Sequence, residues 1–340
     1  MIEIIKESLK EVVDQGKIPG GTFGIVTPDN EEYGYYGYSQ LIPEKRLNNI
    51  DTLYDLASCS KVVATTTMIL KLLEDNLINL DDKVNKHLPD FKYYDVTIKH
   101  LLTHTSGLPA DDKRYKECLN KDELISFIYT LNLNNKPGSF VEYSDFNFIL
   151  LGLIIEKYKG NLEDYANELI FKSLGMNNTM YNPYLKNRKE DCACAEVSET
   201  RGVIQGVVHD GKGFILNGLS GNAGLFSCVK DLGKFSKMML NNGYPILKKE
   251  TIDLLKKSYT EGLNLPRTLG WMFADKNTSC GDKISDVSLY HTGFSGSSIY
   301  IDYVNSLAII LLINRVHPTR NNLEVITEAR KRIHNALLDK

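Results

Sequence analysis

Ser58 stands three residues before Lys61 at the head of a long apolar run. If the stretch Tyr54 to Asp75 (YDLASCSKVVATTTMILKLLED) is helical, the two side chains share a face, with about 5–6 Å between Cβ atoms. A serine hydroxyl becomes a useful nucleophile when a neighbouring base takes its proton, and a desolvated lysine can do so. At a helix N-terminus, free N–H groups and the positive end of the helix dipole favour the negative charge that develops. Two more groups suit the same chemistry. Tyr143, in Tyr143-Ser144-Asp145, carries a phenol that an adjacent cation would convert into a general base or acid. His291-Thr292-Gly293, followed by Phe294, reads as a strand edge where glycine admits a substrate carbonyl and a main-chain N–H receives an oxyanion.

The elements that must position these groups follow from periodicity. Val62, Val63, Thr66, Ile69, Leu70, Leu72 and Leu73 recur at helical spacing, and Lys61 is the one charge in the first half of that run. An unpaired ammonium there would be expensive to bury, so a lysine in this place needs partners. Residues 2–15 predict a helix stopped by Gly16 and Pro19, and Gly21–Thr27 with Glu31–Tyr38 predict a hairpin around Pro28-Asp29-Asn30. From Asn79 to about Thr200 helical patterns alternate with loops, the clearest being Lys121–Leu131 and Asn147–Tyr158, with Val96–Thr103 leading into His104-Thr105-Ser106-Gly107. Val287–His291, Ser297–Asp302 and Leu307–Asn314 predict an antiparallel meander, and Leu323–Leu338 a last amphipathic helix. Both ends of the chain therefore build one sheet covered by helices, with a helical block beside it.

Composition narrows the partners. A formal charge of −3 over 340 residues leaves no footprint for nucleic acid or an anionic membrane surface. No apolar stretch reaches the length of a membrane span, and the N-terminus lacks a signal-peptide core, so the chain as given is expected in the cytoplasm. The six cysteines show no disulfide framework, and Cys192, Cys194 and His209 fit no zinc spacing, so neither metal nor cofactor is expected. Cys59 is a rival nucleophile by type, but adjacent helical residues do not share a face. His104 and His209 read as structural, Trp271 as core, and His87, His100, His317 and His334 as surface or capping residues.

S-x-x-K, Y-S-D and H-T-G, in that order, resemble the serine β-lactamase and penicillin-binding-protein superfamily, most closely its class C β-lactamase, DD-peptidase and esterase branch. ASCSKVVATTT, HLLTHTSGLP, YSDFNFILLG, GNAGLFS, LGWMF, HTGFSG and INRVHPTRNN extend the likeness over essentially the whole chain. The resemblance implies a β-lactamase-like α/β (α+β) fold. Residues 1–80 and 200–340 would form the sheet domain, 81–199 a mostly helical domain, and the active site would lie between them. It implies Ser58 as acylated nucleophile, Lys61 as its proton-relaying partner, and Tyr143 as the base that also serves the leaving group. The N–H groups of Ser58 and Phe294 would form the oxyanion hole, and His291 takes the place of the third motif's cation.

Two departures bear on substrate. His291 stands where most β-lactamases have lysine, and with an ordinary pKa near ~6.5 it would be mostly neutral at pH 7. Asp145 stands where asparagine is usual and adds negative charge near Lys61. Both make the pocket less cationic, unless an arginine from elsewhere restores the charge. A small ester, amide or D-amino-acid peptide is the expected substrate. The alternatives are a true β-lactamase or DD-carboxypeptidase, and a catalytically silent binding or scaffolding member, which a fluorophosphonate probe failing to label Ser58 would indicate. Turnover of p-nitrophenyl acetate or butyrate is expected to exceed that of nitrocefin; efficient nitrocefin hydrolysis would overturn the reading of His291 and Asp145.

Overall fold

The computed structural model describes residues 1–276, 278–320 and 323–338; Asn321 and Asn322, which end the INRVHPTRNN stretch, lie outside the described residues. The first strands are β1 (Gly20–Val26) and β2 (Glu31–Gln40), the expected hairpin, then β3 (Arg46–Leu47) and β4 (Tyr54–Asp55). Four short strands follow in mid-chain: β5 (Met180–Tyr181), β6 (Cys194–Ser198), β7 (Gly202–Gln205) and β8 (Leu225–Ser227). The last four are β9 (Met272–Phe273), β10 (Ser288–Thr292), β11 (Ser298–Asp302) and β12 (Leu307–Ile313).

Seven of them form one antiparallel sheet in the order β3-β2-β1-β12-β11-β10-β9. The two chain ends meet at the β1–β12 seam, where Phe23 lies opposite Leu311 and Ile25 opposite Ile309. The unbroken apolar run LAIILLI has a plain cause, since side chains alternate along a strand and both faces of this one are covered. Ile309, Leu311 and Ile313 join Ile5, Leu9, Ile326 and Ile333 from the helices Ile2–Asp14 and Leu323–Leu338. Ala308, Ile310 and Leu312 join Val229, Leu232 and Phe235 from the helix Val229–Leu240. Each Val, Leu, Ile or Phe among them contributes about 1.5–3 kcal/mol on full burial.

Among the described residues, every regular element from Val84 to Leu174 is helical. The helix Lys121–Thr130 matches its expected span, and Asp145–Lys159 starts two residues before the expected one. Phe146, Phe148, Leu150, Leu151, Ile154 and Ile155 are all buried, so this second helix is apolar on most sides. The segment Val96–Thr103 contracts to Ile98–Leu102, because Thr97 caps it reciprocally with His100. Strands β5 and β6 precede residue 200 yet pair with β8 and β7 beyond it, so backbone pairing crosses that point.

Trp271 is core, as expected. Three histidines read as surface or capping residues are instead buried: His87, His317 and His334. Each ring finds partners that sequence spacing does not reveal. His317 Nδ1 donates to the Ala195 carbonyl at 2.7 Å while its Nε2 accepts the Leu41 N–H at 2.9 Å. His334 Nδ1 donates to the Cys280 carbonyl at 3.0 Å, and burial pushes its pKa down from 6.5 to about 4. Between those values the unfolded chain holds a proton that the folded chain refuses, so stability falls as pH drops through that window. The denaturant midpoint is expected to be lower at pH 5 than at pH 7, with a shallower fall in His334→Gln. An equal fall in the variant would remove His334 as a cause.

Candidate active site

The segment carrying Ser58 leaves β4 and turns sharply. Ala57 and Cys59 bound a short 3-10 turn, Lys61–Thr66 is a π-helical turn, and Thr67–Glu74 is regular α-helix. Ala57 has φ +47°, in the left-handed region, where a residue with a Cβ is strained. The surroundings hold it there. The Asp55 carboxylate accepts the N–H groups of Ala57 and His209, each at 2.8 Å, and the Asp55 carbonyl accepts the Ser295 hydroxyl at 2.7 Å. Burial raises the Asp55 pKa, opposed by those backbone bonds. Ser60 accepts the Leu225 N–H at 3.1 Å, and Thr65 donates to the Gly221 carbonyl at 2.7 Å. The end of β10 closes onto the same segment: a Cβ on Gly293 would lie 2.3 Å from the Leu56 carbonyl oxygen.

Lys61 Nζ lies 2.9 Å from Ser58 Oγ, 2.8 Å from Asp145 Oδ1 and 2.9 Å from the Asn222 carbonyl. Three acceptors use all three N–H donors of an ammonium and leave no lone pair facing Ser58. Burial by itself would pull the Lys61 pKa down, but the Asp145 carboxylate, followed by Tyr143, outweighs it and holds the pKa above the usual lysine range. The resting group is a buried cation that donates to the serine, because a carboxylate distant in sequence arrives beside it.

Tyr143 is half-buried with a cation on two sides, Lys61 Nζ 5.1 Å and Arg267 Cζ 5.6 Å from its ring centroid. His291 is buried, its ring 6.2 Å from that of Tyr143. Its Nδ1 donates to the Thr292 carbonyl at 3.0 Å. Burial, then Lys61 and Arg267, push its pKa well below 6.5, so the ring is neutral and Nε2 is an acceptor without a donor. The Phe294 ring is partly exposed, stacked on His209 at 5.7 Å and with Arg315 Cζ 4.5 Å from its centroid. Ser58, Lys61, Tyr143, Asp145 and His291 thus share one locality, with Thr292, Gly293 and Phe294 following at the end of β10.

His104 holds the tyrosine loop: its Nδ1 accepts the Ser144 N–H at 3.1 Å, and its ring lies 4.5 Å from Tyr143. His209 supports the Phe294 ring and bonds Glu196 through Nε2 at 2.9 Å. Cys192, Cys194 and His209 form no metal cluster, and among the described residues no group of three or more His, Cys, Asp or Glu is placed to hold one. No helix among those residues is long and apolar enough to cross a membrane. Four contributors escaped the sequence. Asp55 is a lone acid two residues before a helix start, and Asn222 acts through its main chain, which no side-chain motif reports. Arg267 and Lys212 are themselves buried although their sequence neighbours include exposed residues, so nothing local marks either as part of the site.

A model of the Beta-lactamase family matches residues 5–331. The chain belongs to the β-lactamase family. It is 32% identical over 320 residues to a protein of Escherichia coli (strain K12) named "Putative D-alanyl-D-alanine carboxypeptidase", covering 83% of this chain and 73% of that one. It is 31% identical over 333 residues to the N-acetylmuramyl-L-alanine amidase of Bacillus subtilis (strain 168), covering 84% and 74%. In fold it resembles the octameric penicillin-binding protein homologue from Pyrococcus abyssi, with TM-score 0.79, 23% identity, and coverage of 100% of this chain and 78% of the other. EstCE1, a hydrolase with promiscuous acyltransferase activity, gives TM-score 0.79 at 20% identity and 98% coverage of both chains. These place the chain among the serine hydrolases of the β-lactamase and penicillin-binding-protein superfamily.

In this β-lactamase-family site the Gly293 approach sets the distance between the Ser58 segment and β10. Gly293→Ala is expected to lower hydrolysis of an activated ester by about 10²-fold, the scale of a misplacement near 1 Å. An unchanged rate with unchanged circular dichroism would show that the approach does not matter.

Proposed function

We propose that the chain is a serine acyl hydrolase working through an acyl-enzyme on Ser58. The observation that carries this is the buried Lys61 ammonium donating to Ser58 Oγ at 2.9 Å, with Tyr143 beside it. Tyr143 is the proton acceptor in this reading, since Lys61 has no free lone pair at rest. Two cations flank the phenol, Lys61 and Arg267. Ser58 Oγ attacks the carbonyl, the developing oxyanion is received by the N–H groups of Ser58 and Phe294, and the proton held by Tyr143 passes to the leaving group. Water then hydrolyses the acyl-enzyme by the reverse relay. Ser58, Lys61 and His291 come from the portion formed by residues 1–80 and 200–340, and Tyr143 and Asp145 from 81–199. In this reading the reaction centre draws on both portions.

Within small esters, amides and D-amino-acid peptides, two features favour a peptide ending in a carboxylate. Arg267 is 5% exposed, and its Nε and Nη1 have no hydrogen-bond partner. It restores a cation beside Tyr143 where His291 is neutral, and a guanidinium presents paired donors suited to a carboxylate. The unpartnered His291 Nε2 calls for a donor such as a peptide N–H. The relative named as a putative D-alanyl-D-alanine carboxypeptidase agrees with that class.

Intact-mass labelling by a fluorophosphonate probe is expected on Ser58 and absent in Ser58→Ala; no label at any pH would end the acyl-enzyme reading. A D-alanyl-D-alanine peptide is expected to turn over faster than its C-terminal amide. Arg267→Ala should raise KM for the free acid by about 10–100-fold, the range for a charged hydrogen bond, and leave the amide little changed. Equal effects on both peptides would remove the carboxylate assignment.

A further inference from the structure

We infer that Lys212 is a positioning residue of this centre: by holding the second oxygen of Asp145, it leaves the Lys61 charge available to Ser58 and Tyr143. This rests on the serine reading above. Asp145 bridges two buried ammonium groups, with Oδ1 2.8 Å from Lys61 Nζ and Oδ2 3.3 Å from Lys212 Nζ. Lys212 is 5% exposed, lies 4.5 Å from the Tyr115 ring centroid, and reaches its other carboxylate, Asp111 Oδ1, at 3.0 Å. An ammonium is placed in such a site only where it has something to neutralise.

The backbone around Lys212 serves the same cluster. It sits on the short helix Gly211–Ile215, capped by Asp210, whose Oδ1 accepts the Gly213 N–H at 2.7 Å. The same oxygen accepts Asn222 Nδ2 at 3.0 Å, and the Asn222 carbonyl takes a Lys61 N–H. One turn of chain therefore secures two of the three acceptors of Lys61. Without Lys212, Asp145 would face Lys61 alone, and the neutral pair would project little field onto Tyr143. The remaining charged groups do not substitute. Arg267 lies beside Tyr143, His104 and His291 are held neutral, Asp210 is an acid engaged with Gly213 and Asn222, and Asp111 lies at the exposed rim.

The sign is independent of whether the ascending pH limb reports proton loss from Tyr143 or from Lys61. Removing a nearby cation makes either loss harder and moves the limb to higher pH. A unit charge about 6 Å away in a partly screened interior corresponds to a shift of about one to two pH units.

The test is the pH-resolved rate of Ser58 acylation by p-nitrophenyl acetate, with the adduct verified by intact mass. Lys212→Met is expected to move the ascending limb up by about one unit or more, while Lys212→Arg keeps it near the parent position. Asp111→Asn, at an exposed carboxylate, should move the limb down, and it carries the test if Lys212→Met does not fold. Superimposed limbs for the parent and Lys212→Met, equal shifts for Met and Arg, or an unmoved limb in Asp111→Asn would overturn the inference. Absence of any Ser58 acylation in the parent protein would instead overturn the serine reading.

Discussion

A lysine ammonium shut away from water is the constraint from which the site is built. Lys61 is fully buried, and an uncompensated charge in such a place destabilises a fold by about 3–5 kcal/mol. Its three donors reach a hydroxyl, a carboxylate and a carbonyl, drawn from three separate stretches of chain. The helix Asp145–Lys159 supplies the carboxylate from its first turn, where the helix dipole also favours an acid. The small-residue turn at Gly221–Ser227 supplies the carbonyl, and Gly152 with Gly221 keeps the backbones close enough for it: a Cβ on Gly221 would lie 2.1 Å from the Phe148 carbonyl. Moving any one of these elements would leave the charge short of a partner, so the same interaction that reaches Ser58 also ties the helical block to the Ser58 segment.

Around that charge the backbone is held in a conformation it would not choose. The left-handed Ala57 and the π-helical turn that follows Ser60 are locally unfavourable. Asp55 holds the strained residue, the His209 loop and the Ser295 loop with one side chain and one carbonyl. The sheet beneath is stiff, packed on both faces and closed by the β1–β12 seam. Rigid support under a strained turn fixes Ser58 and the main-chain groups around it, the preorganisation on which the proposed acyl transfer would draw.

The pocket's charge is a balance rather than a count. His291 is neutral because it is buried beside two cations. Asp145 does not simply subtract from Lys61, because Lys212 shares it. Arg267 brings a guanidinium with unspent donors beside Tyr143. The relatives bear different names, a putative carboxypeptidase and an amidase, so the fold alone does not set the substrate.

Much was legible in the sequence because it depends on local pattern. The S-x-x-K spacing on an apolar helical run marks Ser58 and Lys61 as neighbours, although the stretch is a 3-10 turn running into a π-helical turn and becomes regular α-helix only from Thr67. The alternation and turn chemistry of both chain ends announce the sheet, and the order of short motifs announces the family. Tertiary structure alone decided the protonation of Lys61, the neutrality of His291, the partnership of Lys212 with Asp145 and the place of Arg267. It also decided that His87, His317 and His334 are buried. The physical reason is common to all of these. Whether a group is charged depends on the solvent it loses and the charges it meets, and those neighbours lie tens to hundreds of residues away along the chain.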